Sequence, residues 1–105
     1  MSYTKANYAD GDEKADGMFF LRETLDCENL GVTVIDADAD WTGMEHDHAD
    51  RGHEEVYYLA EGSATVVVDG DEVPMAAGDA VRVAPESTRS LHTDEPSTFV
   101  VAGAP

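Results

Sequence analysis

Lysine is almost missing from this chain. Lys5 and Lys14 are the two lysines in 105 residues, and with the arginines they make six basic side chains against 23 Asp and Glu. The resulting charge of −17 argues against nucleic acid and anionic membrane surfaces as partners, since both attract cationic proteins. Cysteine is nearly absent too. Cys27 is alone, so no intrachain disulfide can form, and a buried structural thiol in a reducing compartment is expected. No apolar run approaches the roughly 18 to 20 residues that span a bilayer. The opening "MSYTKANYADGDEK" lacks the basic-then-apolar order of a secretory leader, which points to the cytoplasm. There is neither a phosphate-cradling glycine loop nor a G-x-S-x-G elbow.

What is abundant is acid, spread between apolar runs rather than gathered in a tail, so the chain reads as folded and not as a disordered acidic segment. Such a charge strains a compact state at low ionic strength. In molar salt the Debye length falls to about 3 Å and the repulsion is screened. Depleted lysine with plentiful aspartate therefore suggests a salt-filled cytoplasm.

Hydrophobic residues make up 42% of the chain, enough for the core of one ordinary domain. Residues 1–17 are polar and without period and read as an arm, extended or poorly ordered, ahead of a domain over 18–105. "MFFLRETL" (18–25) alternates weakly and favours a short strand, while "LGVTVIDAD" (30–38) alternates cleanly. "EEVYYLAEG" and "SATVVVDG" are two more strands, and the "DG" at 69–70 is a hairpin signal before "DEVPM". "AAGDAVRVAP", "RSLHT" and "STFVVAG" complete six to eight short strands with hardly any helical period. That pattern predicts an all-β domain, a sandwich or a single small β-barrel. "DADADW" (36–41) opens like a calcium loop, but Trp41 occupies the place of the sharp-turn glycine, so an acidic connecting loop is expected.

"EHDHADRGHEE" (45–55) holds three of the four histidines. On an extended chain His46 and His48 share one face, and His53, Glu55, Tyr57 and Leu59 share another. Folded as neighbours, the two segments bring His46, His48 and Glu55 together, with His53 near them. Two imidazoles and a carboxylate with open positions suit a divalent transition metal: Zn, Fe, Mn, Ni or Cu. The spacing does not select among these.

The stretch resembles the first motif of the cupin family: His-x-His, a gap, Glu, six residues, Gly, here His46, His48, Glu55 and Gly62. "AAGDAVRVAPESTR" (76–89) is similar to the second motif, and the likeness runs from about residue 18 to 103. It implies a jelly-roll barrel, often dimeric, with His46, His48 and Glu55 as metal ligands. It also implies activities of the dioxygenase, isomerase or decarboxylase kind. Departures are evident. The gap from His48 to Glu55 is longer than usual, Gly43 is displaced, and Ala84 and Glu86 fill the slots of a proline and a glycine. Counting from Gly78, the second motif's histidine position falls on Arg89, with His92 three residues on and on the opposite face of a strand.

Three arrangements follow. A metal binds His46, His48 and Glu55, with water or His53 filling the missing place. Alternatively Arg89 enters the pocket and pairs with Glu55 where the metal would have been, leaving a metal-free binding or sensing module. In the third, a slip near "ESTRS" turns His92 inward. In each, Tyr57, Leu59, Val81 and Val83 line a small apolar cavity for a small-molecule ligand. The β-branched outer faces of the strands suggest a homodimer.

Overall fold

Nine short strands and one 3-10 turn make up the fold, with no α-helix among the described residues. The structure, a computed structural model, describes residues 2–15, 17–43, 45–47 and 52–105, apart from the side chains of residues 12, 14 and 15. In chain order the strands are β1 (Asp12–Ala15), β2 (Met18–Phe20), β3 (Gly31–Ala37), β4 (Glu54–Glu61), β5 (Ser63–Val68), β6 (Asp71–Ala76), β7 (Ala80–Val83), β8 (Arg89–Thr93) and β9 (Ser97–Ala104). They form two antiparallel sheets, β1-β2-β3-β9-β4-β7 facing β6-β5-β8. This is the jelly-roll arrangement expected. Among the described residues no helix is long and apolar enough to cross a membrane.

Alternation decides which side chains face inward. Across the large sheet the register forms rows: Met18, Ile35, Phe99 and Leu59, then Phe20, Thr33, Val101, Tyr57 and Val81. The smaller sheet supplies Val66, Met75 and Leu91 to the same core. Phe99, Leu59 and Val66 are wholly buried, and each such side chain contributes about 1.5 to 3 kcal/mol relative to exposure. The next row of the large sheet differs. Gly31, Gly103, Glu55 and Val83 lie side by side, so two glycines leave the sheet floor bare beside a carboxylate.

Local chemistry sets the connections. Asp69 (φ 51°) and Gly70 (φ 85°) are both left-handed, as a two-residue hairpin matched to strand twist requires. Gly62 (φ 96°) passes the chain from β4 to β5, and a Cβ there would collide with the Pro96 carbonyl and Ser97.

Two expectations change. The arm over 1–17 carries a 3-10 turn at Tyr8–Asp10 and the edge strand β1, which brings the strands to nine. Tyr8 packs edge-on against Phe19, ring centroids 5.2 Å apart. β1 was not legible because backbone pairing to a neighbouring edge needs no apolar alternation. "MFFLRETL" is a strand only to Phe20. Beyond it the chain turns, with Leu25 N–H donating to Leu21 O at 2.9 Å and Cys27 N–H to Arg22 O at 2.9 Å. Cys27 is half-buried there rather than buried.

Candidate functional site

Strand β8 alternates inward at Arg89, Leu91 and Thr93. Arg89 is therefore delivered to the barrel interior, where its side chain is fully enclosed. β4 delivers Glu55 and Tyr57 to the same interior from the opposite sheet. Arg89 Nη1 donates to Glu55 Oε1 at 3.0 Å, and the Tyr57 hydroxyl donates to the same oxygen at 2.6 Å. The other two guanidinium nitrogens donate to backbone carbonyls of the β7–β8 loop, Nε to Ser87 O at 3.0 Å and Nη2 to Ala84 O. Among the described residues no buried side-chain nitrogen or oxygen is left without a partner. Burial pushes the Tyr57 phenol well above its ordinary value, and the adjacent Glu55 carboxylate pushes it further; Arg89 offsets part of this.

His46 reaches the cluster from outside. Its backbone exchanges two hydrogen bonds with Arg89, His46 N–H to Arg89 O at 2.9 Å and Arg89 N–H to His46 O at 2.8 Å. Its Nε2 lies 3.8 Å from Glu55 Oε1, with the side chain less than half exposed. His48 lies outside the described residues. His53 and Glu55 both line a cavity over the bare end of the sheet. His92 points away: its Nδ1 is 2.9 Å from Thr42 Oγ1, and Nε2 lies 4.0 Å from Asp94. The slip that would have turned His92 inward is not present, because Leu91 and Arg89 hold the inward parity of β8.

A divalent ion on Glu55 Oε1 would compete with partners already in place among the described residues. That oxygen already receives an enclosed guanidinium and a phenol. Repulsion between a divalent ion and a guanidinium about 4 Å away amounts to roughly 8 kcal/mol at an effective dielectric of about 20, twice the value for two unit charges. Among the described residues, which do not include His48, no group of three or more His, Cys, Asp or Glu side chains is placed to hold a metal.

Above the cluster lies a cavity of about 320 Å³, its walls including Met18, Ile35, Trp41, Tyr57 and Leu91, with His46 and Glu55 at the polar end. Leu59 and Val83 are buried in the core cluster and Val81 packs against it, and none of the three is in this cavity's wall. A second cavity of about 260 Å³ opens over the glycine row and shares Phe20, Thr33 and Glu55 with the first. Two positions were missed on sequence. Thr93 holds the "DADADW" loop: its hydroxyl donates to Asp38 O at 2.6 Å and accepts Trp41 N–H at 2.9 Å. Arg22 lines the second cavity. Neither carries a motif, although an inward-parity threonine in β8 was a usable signal.

The family model for the cupin domain matches residues 38–103. No curated protein matches the sequence. Among solved structures, a cupin protein from Bacteroides fragilis superposes with a TM-score of 0.82 at 24% identity, covering 99% of this chain and 85% of that one. KdgF from Halomonas sp. gives 0.77 at 19% identity, covering 100% and 94%. A cupin-superfamily sugar phosphate isomerase from Silicibacter pomeroyi gives 0.72 at 20%, covering 97% and 76%. At these identities the likeness establishes the fold.

Proposed function

This chain belongs to the cupin family, and on that premise we propose that it is a metal-free cupin binding a small organic molecule, with Arg89 in place of the cation. The observation that carries the reading is the fully enclosed Arg89 guanidinium, 3.0 Å from Glu55 Oε1. A buried carboxylate is costly unless paired, and this pair satisfies it. The apolar cavity above, with Trp41 in its wall and polar at the His46 and Glu55 end, has the usual form of a small-molecule site. Its role is then binding or sensing in a salt-filled cytoplasm.

A second reading keeps the metal. His46 Nε2 approaches Glu55 Oε1 to 3.8 Å, His48 is its natural companion, and one neighbour of the same fold is described as a sugar phosphate isomerase. Under that reading Arg89 must yield the carboxylate to the ion, and isomerase, dioxygenase or decarboxylase chemistry becomes accessible.

Metal content decides between them. The protein is purified in molar KCl without chelator or affinity-tag metal, incubated with Mn, Fe, Ni, Cu or Zn, and desalted. We expect no stoichiometric metal in wild type. Near-equimolar metal, lost in His46→Ala/His48→Ala, would overturn the metal-free reading.

A further inference from the structure

Arginine is scarce here, and the described arginines are used very differently. Arg82 Nε lies 2.6 Å from Glu54 Oε1, and Arg89 Nη1 lies 3.0 Å from Glu55 Oε1. Arg22 has no ion pair or side-chain hydrogen bond among the described residues, in a chain with 23 acids. Its guanidinium is not waving in solvent either. It lies against Gly31, where an added Cβ would come within 2.6 Å of Nη2. Gly31 pairs with Gly103, which pairs with Glu55, so the glycine row gives the guanidinium a seat on the floor of the 260 Å³ cavity. The turn that carries Arg22 is itself fixed by the hydrogen bonds Leu25–Leu21 and Cys27–Arg22.

We propose that Arg22 is the anion-binding residue of this pocket and that the ligand is a small monocarboxylic acid. The inference rests on the reading of the barrel as a small-molecule site, and it names the ligand class. Charge sets the valence. The Glu55 carboxylate on the cavity wall is neutralised by Arg89, leaving Arg22 as the one unmatched charge among the described lining residues. A carboxylate matches a guanidinium fork with two parallel hydrogen bonds. A phosphate dianion would bring two negative charges to a single unmatched guanidinium in an already strongly acidic protein. Phe20 and Thr33 line both cavities, so an acid seated on Arg22 can extend its apolar body past Phe20 into the larger cavity under Trp41.

The test uses the intact chain in molar KCl, with benzoate, phenylacetate and cyclohexanecarboxylate as probes against their amides and phenyl phosphate. Binding is read by the fluorescence of Trp41, the sole tryptophan, and by thermal shift. We expect a carboxylate to bind at least about tenfold tighter than its amide, and Arg22→Gln to lose that margin while Arg82→Gln keeps it. Arg22→Lys should retain only part of it, because the ammonium keeps the charge and loses the fork. Equal binding of acid and amide, or unchanged acid binding in Arg22→Gln, overturns the Arg22 assignment and leaves the pocket reading standing. Phenyl phosphate binding as tightly as the best acid overturns the choice of carboxylate. If neither acids nor amides bind, the ligand class falls together with the pocket reading.

Discussion

Arg89 and Arg22 carry the same guanidinium into opposite surroundings, and the contrast defines the site. Arg89 is a structural cation: enclosed, with its donors divided between Glu55 and two loop carbonyls. Arg89→Met removes one partner and leaves a largely buried carboxylate, which we expect to cost about 3 kcal/mol. Urea unfolding in molar KCl measures it, and adding Glu55→Gln should recover part of the loss by neutralising the stranded group. A cost below about 1 kcal/mol would mean that the pair is not the interior anchor described. Tyr57 gives a pH signature. Its folded-state pKa is raised above the ordinary tyrosine value of 10.0, so the folded protein holds the proton that the unfolded chain releases. The stability Tyr57 lends is complete below that value and drains as pH rises above it, at up to about 1.4 kcal/mol per pH unit. Phenolate absorbance from Tyr57 should appear only together with alkaline unfolding. Tyr57→Phe should flatten the alkaline slope and remove that coupled step.

At the scale of elements, the strands solve two problems with two faces. Inward residues make the core and site, and the outer face of β3, β9 and β4 remains apolar. Val34, Val100 and Tyr58 lie in one row there, and Val32, Ala102 and Val56 in the next, with Val56 39% and Tyr58 42% exposed. A contiguous apolar sheet face of this kind is the expected seat of a homodimer. Light scattering on a sizing column in molar KCl should give a dimer for wild type and a monomer for Val56→Lys/Tyr58→Lys, with unchanged circular dichroism. A monomeric wild type would sink the expectation. The N-terminal arm uses the neighbouring part of that outer surface, with Tyr8 on Phe19. Thr93 ties the loop before Trp41 to β8, and in this way one strand positions both the buried arginine and the aromatic wall of the cavity.

For the whole molecule the governing quantity is the charge of −17. Among the described residues few acids have a cationic partner, so most of that charge acts as self-repulsion opposing the compact state. Thermal stability should climb steeply from low salt and level off near molar KCl, once the Debye length approaches about 3 Å. KCl and NaCl should act nearly alike if screening is the cause. A melting temperature that is flat or falls with salt would remove the argument for a salt-filled cytoplasm. High salt also weakens the Arg22 contact with an acid, so fixed ionic strength is part of any affinity comparison.

The strands, the hairpin at Asp69–Gly70 and the two cupin motifs were legible in the sequence by itself, because parity along a strand and the dihedral demands of a tight turn are set by near neighbours. The same parity put Arg89 and His92 on opposite faces of one strand and left open which of them faces inward; the closed barrel decided for Arg89. Tertiary structure alone decided what those residues meet. Arg89 and Glu55 are 34 positions apart, and Thr93 and Asp38 are 55 apart. Their distances depend on how two sheets register and close, a sum over many weak contacts that no local pattern carries. β1, half-buried Cys27 and the placement of Arg22 over Gly31 belong to the same class. Glycine and arginine at positions 31, 103 and 22 look unremarkable along the chain. They become a bare floor and a seated charge only when β3, β9 and the turn after β2 are brought side by side.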